Sequence, residues 1–145
     1  MSLAVWQLAA ADRERWAALR GQLWPEDVDR HLADLDTMTA QGDLWGFVAE
    51  QGGRDVGYAE LALRRYANGC ENMPVAFLEG IWTDGAHRRQ GIGAALIAYL
   101  ADFCKAKGLT EICSDALIDN AASHAAHEGW GFQETERVVY FRKAL

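Results

Sequence analysis

The stretch VAFLEGIWT at 75–83 runs directly into DGAHRRQGIGAAL at 84–96, and this junction constrains the fold more than any other part of the chain. The first run is too rich in branched and aromatic residues for a helix and too apolar for a sheet edge, so it is expected to be a central strand. From Ile92 the apolar residues Leu96, Leu100 and Phe103 recur at helical spacing, and Gly108 supplies a C-terminal stop. LTEICSDAL at 109–117 then reads as the next strand, which completes a strand, helix, strand crossover. The expected fold class is therefore α/β or α+β around a mixed sheet.

The remaining segments fit the same picture. AVWQL at 4–8 reads as a short strand, and Asp12 is placed to cap a helix with an apolar face of Trp16, Leu19 and Leu23, ended by Pro25. A second helix is expected over Val28–Ala40. LWGFVAEQ and DVGYAELALRRY read as strands joined at Gly52 and Gly53 in a hairpin, followed by the loop ANGCENMP. Asn120 to Gly129 has the composition of a short helix, and FQETERVVYFRKAL is expected to add one or two strands. With 145 residues, half of them hydrophobic, no repeats and only Pro25 and Pro74 as prolines, residues 1–145 are expected to form one domain without a linker.

A formal charge of -7 argues against nonspecific binding to nucleic acid or anionic membranes and favours a cationic partner, although many soluble proteins are simply acidic. Cys70, Cys104 and Cys113 are odd in number and far apart, so neither a disulfide framework nor a zinc site is expected. His31, His87 and His124 carry no metal-ligand spacing, and no metal is expected. The opening MSLAVWQLAAADRER lacks a basic, then apolar, export pattern, and no segment approaches a membrane span, so a cytoplasmic location is expected.

A loop at a helix start is a natural phosphate site, because the first-turn amides have no helical partners and the helix dipole adds positive potential. Gly91 and Gly93 would let a diphosphate approach the backbone, and Arg88 and Arg89 would add forked donors. A tight strand-to-helix turn with solvated arginines explains the same residues. The loop has neither the Gly-Lys-Ser/Thr of triphosphatases nor the Gly-x-Gly-x-x-Gly of dinucleotide folds. What remains, Arg88-x-x-Gly91-x-Gly93 after a central strand, resembles the acetyl-CoA loop of the GCN5-related N-acetyltransferases (GNAT). The succeeding elements, up to Gly131 and Phe132, also follow that family's order. Further blocks, QLWP at 22–25, Tyr66 with NGC at 68–70, FLEGI at 77–81, Ser114–Asp115 and GFQETERVVYFRK, are similar to the aminoglycoside 6'-N-acetyltransferase branch.

That resemblance implies the GNAT fold: a central mixed, mostly antiparallel sheet with a splayed parallel strand pair and flanking helices. It implies acetyl-CoA as co-substrate, held by Ile81, Trp82 and Thr83, by Arg88, Arg89, Gln90, Gly91, Ile92, Gly93 and Ala94, and by Asn120. It also implies an aminoglycoside pocket of Trp24, Tyr66, Glu79, Asp115 and Glu136, and a homodimer, which the apolar RVVYF also suggests. Such a pocket is chemically sensible: a polyhydroxylated polycation calls for carboxylates around its ammonium groups and flat rings against its sugars. Trp24, Tyr66 and Glu136 each also have an ordinary structural reading. Glu79 is harder to dismiss, since an unpaired carboxylate inside VAFLEGIWT would be costly to bury.

The implied chemistry is direct acetyl transfer. Glu79 is expected to accept the proton of the substrate amine, with Asp115 orienting that amine and a backbone N–H near Ile81 facing the oxyanion. The leaving thiolate needs a proton in many relatives, which place a tyrosine where this chain has His127, one turn before Gly131. A histidine can replace it, or the thiolate can leave unaided, or His127 is a helix-surface residue. An acetyltransferase for another amine, a noncatalytic acyl-CoA sensor and a plain interaction domain are the competing readings.

Overall fold

The computed structural model describes residues 2–145. The chain order is β1 (Leu3–Gln7), α1 (Arg13–Leu23), α2 (Val28–Ala40), β2 (Leu44–Gln51), β3 (Arg54–Arg64), β4 (Val75–Thr83), α3 (Ile92–Ala106), β5 (Ile112–Cys113) and α4 (Ala121–Gly129), with single 3-10 turns at 10–12 and 85–87. The strands form one sheet in the order β1-β2-β3-β4-β5, antiparallel except for the parallel pair β4 and β5.

Alternation along the central strands splits the core in two. Phe47, Ala49, Ala59 and Leu61 point to one face and pack with Ile92, Leu96, Ile97, Leu100 and Cys104 of α3. Val48 and Tyr58 point to the other, against Trp16, Ala17, Leu19 and Leu35 of α1 and α2. Glycines set the closest approaches. A β-carbon on Gly57 would lie 2.6 Å from Ile92 Cγ2, and one on Gly46 2.5 Å from the Trp16 ring.

A buried polar chain crosses the second face. Trp16 Nε1–H donates to the Tyr58 hydroxyl (2.6 Å), which donates to Glu60 Oε1 (2.6 Å), and Arg20 donates to the same oxygen (2.9 Å). Arg20 Nε reaches His31 Nδ1 at 3.4 Å, and His31 Nε2 donates to the Trp24 carbonyl at 2.7 Å. His31 is thus a buried structural residue that ties α2 to the end of α1. Burial pushes Glu60 above the ordinary carboxylate range, opposed in part by Arg20 and Tyr58.

Several expectations need correction. Asp12 precedes α1 but does not cap it: its carboxylate instead accepts the Ala9 N–H at 2.8 Å. The strand expected over 109–117 shrinks to Ile112–Cys113, because β4 is paired there only at Ala76 and Phe77. Among the described residues no strand forms beyond α4. The segment expected to supply one finds no ladder within its own chain and leaves Val139, Tyr140 and Phe141 exposed. The cysteine expectation also fails: Cys70 and Cys113 are bonded to each other, with Cα atoms 6.4 Å apart across 43 residues of sequence. Linear spacing hid the pair because the parallel pairing of β5 with β4 creates it.

Candidate active site

The short β5 ladder shapes the site. β5 pairs only with Ala76 and Phe77, so from Leu78 onward β4 has a strand neighbour on its β3 side alone. Ile81, Trp82 and Thr83, each partly buried, pair there with Ala59, Tyr58 and Gly57. The parallel strands therefore part, as the resemblance implied.

Beyond β4 the chain makes one 3-10 turn, where the Asp84 carboxylate lies 2.7 Å from His87 Nδ1, and enters α3. Gly91 is the residue before the helix, with φ +78, and no side chain caps the helix. The first helical bond runs from Ala95 N–H to Gly91 O, so the amides of Ile92, Gly93 and Ala94 lie outside the helical ladder. Arg89 also has a positive φ, +62, and Arg88, Arg89 and Gln90 are exposed. The two glycines serve different ends. A β-carbon on Gly91 would meet nothing within 4 Å, so Gly91 is required by its left-handed backbone and leaves open space before the helix. A β-carbon on Gly93 would lie 2.8 Å from the Trp130 ring, so Gly93 seats α3 against the end of α4. The phosphate-access argument thus applies to Gly91, and the glycine at 93 has a packing cause. Open amides, a left-handed glycine and flanking arginines fit a pyrophosphate-bearing group such as that of acetyl-CoA.

Glu79 owes its position to a β-bulge. Glu60 pairs with Gly80 and Leu61 with Leu78, so Glu79 is the extra residue on β4. Its carboxylate takes both arms of Arg64, at 2.9 and 2.8 Å, and the Arg64 guanidinium lies 3.6 Å from the Phe77 ring centroid. The cation that compensates this carboxylate comes from the end of β3. The hydrogen bond to Glu79 raises Arg64 above its ordinary value, and the negative charges of Glu79 and Asp115 add to this. Gly80 leaves room for α1: a β-carbon there would lie 2.7 Å from Leu23 and 3.1 Å from the Trp24 ring.

Arg64, Tyr66, Ala67, Asn68, Phe77, Ser114, Asp115 and Tyr140 line an open cleft of about 260 Å³. Tyr66 and Asp115 are brought together there, with Glu79 beside them through Arg64. Trp24 lies at the end of α1, its ring 5.1 Å from the Arg20 guanidinium and its edge beside Gly80, and does not line this cleft. Glu136 is exposed and stands next to Gly69 of the loop that carries Tyr66. Arg64, Asn68 and Tyr140 were not anticipated. NGC and RVVYF contain two of them, but only the fold turns them toward Asp115. A wider depression around residues 10–15 is bounded by one consecutive segment and gathers no convergent groups.

His127 is a fixed residue of α4. The Ser123 carbonyl can only accept, so His127 Nδ1 donates to it (2.7 Å), and Nε2 accepts from the Ser114 hydroxyl at 2.8 Å. Trp130 and Phe132 pack on the ring. The imidazole therefore reaches the cleft wall through Ser114, the neighbour of Asp115. Asn120 caps α4, its side-chain oxygen accepting from Ser123 N–H at 3.1 Å.

A model of the "Acetyltransferase (GNAT) family" matches residues 6–132. The chain is 45% identical over 135 residues to an aminoglycoside N(6')-acetyltransferase type 1 from Serratia marcescens, covering 91% of this chain and 92% of that one. It is 42% identical to the protein of the same name from Stenotrophomonas maltophilia, covering 96% and 92%. Among solved structures, AAC(6')-Iy in complex with the bisubstrate analogue CoA-S-monomethyl-acetylneamine superposes with a TM-score of 0.92 at 37% identity over the full length of both chains. The aminoglycoside 6'-N-acetyltransferase AAC(6')-Ih of Acinetobacter baumannii gives 0.89 at 36% identity, covering 99% of each.

Proposed function

The chain belongs to the acetyltransferase (GNAT) family, and from that premise we propose that it is an aminoglycoside 6'-N-acetyltransferase that uses acetyl-CoA and confers resistance to drugs of that class. The observation that carries this is likeness over nearly the whole chain, at up to 45% identity, to enzymes of that name. The cleft supports it, because Asp115 lines it with the rings of Tyr66, Phe77 and Tyr140, and Glu79 is bonded to Arg64 of the same lining, an arrangement suited to an ammonium-bearing sugar.

Acetyl-CoA supplies the acetyl thioester. Its pyrophosphate is assigned to the amides of Ile92, Gly93 and Ala94, with Arg88, Arg89 and Gln90 in the loop before them, and its pantetheine arm to Ile81, Trp82 and Thr83 along the unpaired side of β4. Asn120, at the start of α4, is assigned to the same molecule. Asp115 orients the 6'-amine as a cation. Glu79 takes a proton from it, directly or through water, so that the neutral amine attacks. Arg64 holds both Glu79 oxygens, which keeps the carboxylate aimed while each oxygen retains a second lone pair to accept with. Trp24, Tyr66 and Glu136 contact the rest of the drug. The amide near Ile81 faces the developing negative charge. With Nδ1 donating to Ser123 O, His127 Nε2 only accepts from Ser114, so the pair passes a proton to the thiolate when the imidazole carries both ring protons, and otherwise the thiolate leaves unaided.

No helix of the described residues is long and apolar enough to cross a membrane. A cytoplasmic location follows from the use of acetyl-CoA, a metabolite of that compartment. A homodimer is proposed from the exposed Val139, Tyr140, Phe141 and Leu145, an extended apolar segment that a second copy would cover. The function is tested by incubating the purified protein with acetyl-CoA and an aminoglycoside and locating the new amide by NMR. Acetylation of the 6' nitrogen is expected. Acetylation of a polyamine or a peptide instead would assign the chain to another amine, and binding of acetyl-CoA with no acceptor found would leave a sensor.

A further inference from the structure

We propose that Cys70 and Cys113 are a reversible thiol–disulfide site that clasps the two walls of the cleft, so that its redox state sets how tightly the cleft holds the cationic drug. The proposal rests on the function proposed above for its substrate, and on geometry for everything else. Cys70 belongs to the loop between β3 and β4 that carries Tyr66, Ala67 and Asn68, one wall of the cleft. Cys113 is the last residue of β5, followed directly by Ser114 and Asp115 of the opposite wall. The sulfurs are bonded, and the Cα separation of 6.4 Å lies in the range a disulfide spans. The bond therefore links the wall with Tyr66 to the wall with Asp115 at positions adjoining both.

The neighbourhood holds the loop in place for this pairing. Glu111 Oε1 accepts the amides of Glu71 (2.8 Å) and Asn72 (2.7 Å), a second tie between β5 and the same loop. Gly69 has a φ of +81, and a β-carbon there would strike the Thr135 hydroxyl, so the loop is fitted to the C-terminal segment as well. The Glu111 carboxylate lies within 4.8 Å of both sulfurs. The third cysteine does not compete: Cys104 is buried on the sheet-facing side of α3 and its thiol is pushed up to about 11 by burial.

The chemistry is thiol–disulfide exchange with a small-molecule disulfide such as oxidised glutathione. One cysteine thiolate attacks a glutathione sulfur and releases one glutathione thiolate, which takes up a proton. The second cysteine then attacks the mixed disulfide, the protein S–S bond forms and the second glutathione leaves. Two protein thiols are oxidised and one glutathione disulfide is reduced to two thiols.

The test equilibrates the folded protein in glutathione buffers of defined ratio, quenches with acid and counts thiols after denaturation. Of the three cysteines, all should react in the reduced state and only one in the oxidised state, with a peptide linking Cys70 to Cys113. The oxidised enzyme should show a KM for a 6'-amino aminoglycoside about two- to tenfold below that of the reduced enzyme, the scale expected when a few wall side chains are ordered before binding. The KM for acetyl-CoA should stay the same, and Cys113→Ser should behave as the reduced enzyme in every buffer. Retention of all three thiols, formation of glutathione adducts alone, or an unchanged drug KM would overturn the proposal. Stoichiometric uptake of Zn²⁺ by the reduced protein that blocks oxidation would also overturn it, in favour of a metal site at Cys70, Glu111 and Cys113. If neither redox state turns over any aminoglycoside, the proposed function fails. Calorimetric drug affinity in the two states then decides the clasp on its own.

Discussion

Glu79 depends on Arg64 more than on any other neighbour. The cost of burying a carboxylate inside VAFLEGIWT was legible in the sequence, because an ion there demands compensation. Its partner was not, since the contact of Arg64 with Glu79 is created by hairpin register and a bulge, neither of which periodicity reveals. With Glu79 as proton acceptor, Glu79→Gln should lower kcat about 100-fold or more at neutral pH and recover in part as alkaline pH supplies free amine, measured by steady-state pH profiles. Asp115→Asn should mainly raise the drug KM. The same logic gives Glu60 a stability signature. Its folded pKa is raised, so the native state binds the proton more tightly than the unfolded chain. The associated stability is complete below the unfolded carboxylate value, about 4.3, and is lost as pH rises through the folded value. Urea midpoints should therefore show wild type losing its lead over Glu60→Gln as pH climbs from about 4 toward neutrality.

The loop and α3 together were the most readable element, and their glycines show where reading stops. Helix bounds, the strand before them and the amides facing outward followed from spacing, yet the cause at position 93 lies in Trp130, far along the chain. Gly91→Ala places a side chain at φ +78, should cost about 1–2 kcal/mol, and should weaken CoA binding measured by calorimetry. Gly93→Val should instead lower Tm through collision with Trp130, an overpacking of about 1–3 kcal/mol, so its loss of CoA affinity must be judged on folded protein. Asn120→Ala should remove the α4 cap at a cost of about 1 kcal/mol. The short β5 and the unpaired C-terminal segment were unreadable for one reason. Their residues have strand propensity, but a strand exists only where a partner edge is offered.

At the scale of the whole molecule, a mixed sheet with one strand, helix, strand crossover was accessible from the order of elements, because each run changes period at a turn residue, whereas the strand order β1-β2-β3-β4-β5 became visible only in the fold. Quaternary structure was not, beyond the apolar RVVYF. Light scattering after size exclusion should give twice the chain mass, and removal of residues 137–145 should give monomer. The decisive measurement compares two otherwise similar aminoglycosides, one with an amine at 6' and one with a hydroxyl, while thiol release from acetyl-CoA is followed. On the proposed assignment, Asp115 and Glu79 surround an amine that must give up a proton, whereas Tyr66, Trp24 and Glu136 grip parts common to both drugs. Turnover of the amine alone is expected, with the hydroxyl analogue binding but not reacting, so that the discrimination appears in kcat. Equal turnover of the two drugs would contradict it.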